Sequence, residues 1–74
     1  MSGKMKREVE ITYSAAEFAA RLCRVADALE QGIPFRLQVA GERISVPARA
    51  VCSIEHEREG SREELEFQVK WVNP

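Results

Sequence analysis

His56, Cys23, Cys52 and Trp71 are the residues of this chain whose side chains could react, ligate or anchor. His56 is the one histidine. A general base needs a partner within hydrogen-bond reach inside a pocket. The alternating pattern around His56 sends Glu55 and Glu57 to the opposite face of a strand. A half-buried residue at the rim of the core is therefore the stronger reading than a catalytic one. Cys52 and His56 share a face four positions apart, about 13 Å along an extended strand, too far for a nucleophile–base pair or a shared metal. Cys23 falls on the flank of a helix, and no Cys or His spacing matches a zinc site. No glycine-rich loop precedes that helix to cradle a phosphate. The expectation is no metal, no nucleotide and no other cofactor, with both thiols reduced and acting as small hydrophobes.

Trp71 and four glutamates are the candidate interaction residues. Trp71 closes an alternating run and reads first as the last inward residue of a strand, packed over the end of the helix. Its second reading is an anchor at a sheet edge for a partner. Glu55, Glu57, Glu64 and Glu66 fall on one outward face, with Glu55 opposite Glu66 and Glu57 opposite Glu64. Like charges directly opposite are destabilising, and Arg43, Arg62 and Lys70 are the cations expected to offset them. A solvated acidic face is the plain reading, and a docking surface for a basic partner or a weakly held cation is the functional one.

The elements that must position these residues follow from periodicity. Residues 7–13 alternate, with Val9, Ile11 and Tyr13 on one side, and read as a half-buried strand. Ser14-Ala15-Ala16-Glu17 fits a capping box, and Tyr13 and Phe18 have the spacing of a hydrophobic staple. A helix is expected over about 15–31, with Phe18, Leu22, Val25, Ala26 and Leu29 in one stripe and Glu17 placed to pair with Arg21. Gly32 and Pro34 end it. Residues 35–39 and 42–46 alternate in a register that sets Leu37 opposite Ile44 and Phe35 opposite Val46, joined at Ala40-Gly41. Ala is a poor first residue for a primed turn, so a four-residue loop in that register stays open. Pro47 stops the strand. A second hairpin turns at Gly60-Ser61 and pairs Ile54 with Phe67, Cys52 with Val69 and His56 with Leu65. Phe67, Ile54, Leu22 and Val25 are expected to share one core.

The order β-α-β-β-β-β predicts an α+β fold, a two-layer sandwich of one helix on a mostly antiparallel sheet of about five strands. Residues 1–6 read as a flexible N-terminal tail and 7–74 as a single domain. The 74 residues carry a formal net charge of −1 and are 45% hydrophobic and 31% charged. That balance argues against an electrostatic nucleic-acid binder, which needs clustered Lys and Arg. No apolar run approaches a membrane span of ~20 residues, and none follows the N-terminal lysines as a secretory signal would. A cytoplasmic location is the expectation.

With the elements placed, the chain resembles the amphi-Trp domain family, small prokaryotic proteins named for amphipathic strands and a tryptophan near the C-terminus. The resemblance rests on Arg7-Glu8-Val9-Glu10, on Ala26-Asp27-Ala28-Leu29-Glu30-Gln31-Gly32 at the end of the helix, on Val46-Pro47, and on Leu65-Glu66-Phe67-Gln68-Val69-Lys70-Trp71. It implies no activity and assigns no residue a catalytic role. The function expected is a protein–protein interaction or assembly module, with a homodimer formed through a sheet edge or an unknown protein as partner. A small-ligand binder or minor enzyme using the region near Trp71 and His56 is the alternative. A pocket joining those two residues would favour it.

Overall fold

The computed structural model describes residues 5–74. Most of the expected tail, residues 1–4, lies outside them. One helix, α1 (Ala15–Gln31), precedes four strands: β1 (Phe35–Val39), β2 (Glu42–Val46), β3 (Val51–Glu59) and β4 (Arg62–Lys70).

Helix α1 is fixed at both ends by the residues that announce it. The Ser14 hydroxyl accepts from the Glu17 backbone N–H at 3.2 Å, and the Glu17 carboxylate accepts from the Ser14 N–H at 3.4 Å. Both halves of the capping box are present, which satisfies donors that the first turn would otherwise orphan. Gly32 takes the left-handed conformation at φ 67°, and its N–H donates to Leu29 O while Ile33 N–H donates to Ala28 O. That crossed pair is a Schellman stop. Arg21 differs from its expected role. It donates to the Glu17 carbonyl at 3.0 Å and lies 4.0 Å over the Tyr13 ring, so the cation caps an aromatic face instead of pairing with the Glu17 carboxylate.

Both hairpins have the register that their apolar faces require. Phe35 pairs with Val46 and Leu37 with Ile44. Val39 pairs with Glu42, so the loop has two residues and the four-residue alternative is set aside. Ala40 (φ 48°) and Gly41 (φ 80°) both occupy the left-handed region, as a type I′ turn demands, and Ala40 is strained there by its Cβ. In the second hairpin Cys52 pairs with Val69, Ile54 with Phe67 and His56 with Leu65. Gly60 at φ 61° supplies the positive φ at the first central position.

The α+β class stands, but the sheet does not form as one. The strands make two separate two-stranded antiparallel sheets, β1-β2 and β3-β4. Residues 7–13, expected as a first strand, belong to no ladder. A strand exists only where a neighbour accepts its backbone bonds. Here a side chain does the tethering: Arg7 Nη2 donates to Val39 O at 3.0 Å and Ala40 O at 3.3 Å, and Arg7 Nε lies 3.3 Å from Glu42 Oε1. Pro47 ends β2, and the link to β3 is a turn in which Ala50 N–H donates to Pro47 O at 3.2 Å. Arg49 Nη2 ties that turn to Val72 O at 2.7 Å, beyond β4.

The core is correspondingly small. Among the described residues Ala28 and Val46 are its buried apolar members, at 7% and 6% exposure. Val25, Phe35, Leu37, Val39 and Ile44 are half-buried, and Arg24 of α1 lies beside Arg36, Leu37 and Arg43 of the first hairpin. The expected shared core of Phe67, Ile54, Leu22 and Val25 is not formed. Phe67 is 60% exposed, Ile54 66% and Leu65 64%, because none of the described residues lies over that face.

Candidate interaction surface

The second hairpin has two faces of opposite character. Period two places Cys52, Ile54, Leu65, Phe67 and Val69 together on one side, and Glu55, Glu57, Glu64 and Glu66 on the other. A hairpin of nine-residue strands is about 30 Å long, and an apolar strip on that scale is more than scattered surface hydrophobes.

At the turn end the apolar face is closed by charge. Glu63 Oε2 accepts from Arg58 Nη2 at 3.0 Å and lies 2.9 Å from His56 Nε2. The His56 hydrogen bond first, and the Arg58 one second, hold the Glu63 carboxyl below its ordinary range. His56 thus sits at an exposed rim with an acid partner, not at the half-buried core edge that its pattern suggested.

On the acidic face Glu55 stands opposite Glu66 and Glu57 opposite Glu64. Glu64 is pushed above its ordinary range, first by a hydrogen bond with Glu66, which needs one of the two protonated, then by the charges of Glu57 and Glu66. Arg62 opposes that shift. Gln68 Nε2 donates to Glu66 Oε2 at 3.0 Å. Arg43, expected to offset these carboxylates, belongs to the other hairpin. It lies instead beside Arg24 and Arg36 around a small cleft with Leu37 and Gln38. This arginine cluster was legible only in part: Arg36 and Arg43 are outward positions of the first hairpin, but nothing in the periodicity brings Arg24 to them.

Trp71 lies one residue beyond β4, half-buried, with its indole N–H donating to Asn73 Oδ1 at 3.0 Å. It borders an open depression of about 850 Å³ together with Arg49, Val51, Val69, Val72 and Asn73. His56 is absent from that lining. Cys23 and Cys52 are free thiols and exposed. Among the described residues no group of three metal-ligating side chains gathers, and no helix is long and apolar enough to cross a membrane.

The family model of the Amphi-Trp domain matches residues 1–74. The chain belongs to the Amphi-Trp domain family. Comparisons with curated proteins and with solved structures return no match. In this Amphi-Trp chain the amphipathic alternation is clearest in the second hairpin, and the tryptophan sits where that hairpin joins the chain's C-terminal segment.

Proposed function

We propose that the chain is a protein–protein interaction and assembly module whose binding surface is the apolar face of the β3–β4 hairpin. The observation that carries this is the exposure of Ile54, Leu65 and Phe67 together on one continuous strip. A monomeric domain rarely leaves such a strip in water, and the usual meaning of one is a binding site for another protein. The four glutamates support the choice of face. Their repulsion keeps the opposite side solvated and disfavours stacking there. Trp71 borders the same surface at its open end as an aromatic anchor. Association through a sheet edge belongs to this reading, because among the described residues β3 and β4 each have one side without a ladder partner. The ligand-binding alternative loses its main support, because His56 is absent from the lining of the depression at Trp71.

A photo-cross-linking residue substituted for Leu65 in expressing cells tests the reading, with the same substitution at Glu57 as control. The expected result is a discrete protein adduct through position 65 and none through position 57. No adduct at position 65, or the same adducts from both positions, overturns it.

A further inference from the structure

We infer that the apolar face of the β3–β4 hairpin is covered by helix α1 of a second copy of this chain, docked reciprocally so that each helix lies across the other's hairpin. This rests on the interaction-module reading and names its partner.

The first observation is surface. The chain exposes 6696 Å², whereas a folded monomer of its size exposes about 4,600 Å². Its radius of gyration is 14.5 Å against about 11 Å for a compact domain of 74 residues. The chain ends contribute part of the excess. The surplus, roughly 2,000 Å² per chain, still exceeds the ~800 Å² each partner buries in a standard interface and falls in the range of obligate dimers.

The second observation says what fills the gap. Taking 100° per residue, α1 carries an unbroken apolar arc of roughly 120° from Val25 through Phe18, Leu29 and Leu22 to Ala26 and Ala19, and Arg21 separates it from Ala28. Ala28 is buried and Val25 half-buried. The other flank stays open, with Phe18 at 52% exposure and Leu22 and Leu29 also exposed. An arc of that width belongs against a packed layer, and among the described residues none lies over Phe18, Leu22 and Leu29.

The lengths also match. The 17 residues of α1 span about 25 Å, close to the ~30 Å of the second hairpin. The five-residue strands of the first hairpin reach only about 17 Å.

Two considerations make the covering layer another copy and not the same chain folding back. Phe18 and Leu22 of α1 and Ile54, Leu65 and Phe67 of the second hairpin are all exposed, so the two apolar faces do not meet within the described chain. Hairpin-on-hairpin stacking would cover Ile54 and Phe67 but leave Phe18, Leu22 and Leu29 wet. Reciprocal docking covers both. It also brings residues 7–13, which lead straight into the helix through Ser14, to the edge of a hairpin whose strands lack outer partners among the described residues.

The test mixes ¹³C-labelled and unlabelled chains through an unfolding and refolding cycle and records isotope-filtered NOEs together with the mass at sedimentation equilibrium. A two-chain mass with intermolecular NOEs from Leu22 or Phe18 to Leu65 or Phe67 is the expected result. A two-chain mass with hairpin-to-hairpin NOEs overturns the inference and leaves the assembly reading standing. A one-chain mass with the hairpin face free also overturns it and assigns the face to a different protein. A one-chain mass with helix-to-hairpin NOEs inside the chain overturns both.

Discussion

Glu63 and Glu64 are neighbours on one strand with opposite electrostatic fates. Glu63 faces His56 and Arg58, which lower its pKa, while Glu66 and Glu57 raise that of Glu64. The linkage signs follow. A carboxyl whose folded pKa is lowered adds stability above the ordinary value of 4.5, and that stability is lost as pH falls through the lowered value. A carboxyl whose folded pKa is raised costs stability once pH has risen through the raised value, and the cost vanishes below 4.5. Glu64→Gln is therefore expected to be at least as stable as the parent at pH 7, with the difference gone by about pH 3. Glu63→Gln is expected to be less stable at pH 7 and to rejoin the parent on acidification. Urea melts at the two pH values check both; a Glu64→Gln chain clearly weaker than the parent at pH 7 contradicts the assignment. Both groups are solvent-exposed, so these effects are small.

Two local devices hold the elements, and each has its own test. Ser14→Ala removes the acceptor for the Glu17 N–H and is expected to cost about 1 kcal/mol in a urea melt. No measurable loss would refute the cap. Ala40 sits at φ 48° in a turn whose ideal first residue is Asn. Ala40→Asn is expected to stabilise the first hairpin by roughly 0.5–1 kcal/mol, because Asn tolerates that conformation better than Ala. A destabilised variant would mean that the turn is held by something other than its own dihedral preferences. Ser14, Gly32, Gly60 and the alternating runs made the helix and both hairpins legible in the sequence, register included, since turn chemistry and hydrophobic pairing are local. The association of these elements was not legible. Residues 7–13 carry a strand pattern, but a pattern does not say which edge, or which chain, supplies the ladder. Leu22 and Phe67 both read as core, which is a statement about being covered and not about what covers them. The candidate surface was hidden for the same reason: its residues looked like ordinary interior positions until the hairpin was seen standing away from the helix.

At the scale of the whole molecule, the two buried apolar residues among those described, Ala28 and Val46, are too small a core for a folded chain of this length. Both cysteines are free, so no disulfide compensates. Burial of the hairpin strip and the open flank of α1 in an assembly would supply the missing core. Folding and association are then one transition, and the melting temperature rises with protein concentration. The most direct test is sedimentation equilibrium of the purified chain across the micromolar range. The account predicts a mass of two chains, giving way to unfolded monomer on dilution. A folded species with the mass of one chain, unchanged at every concentration, would contradict it.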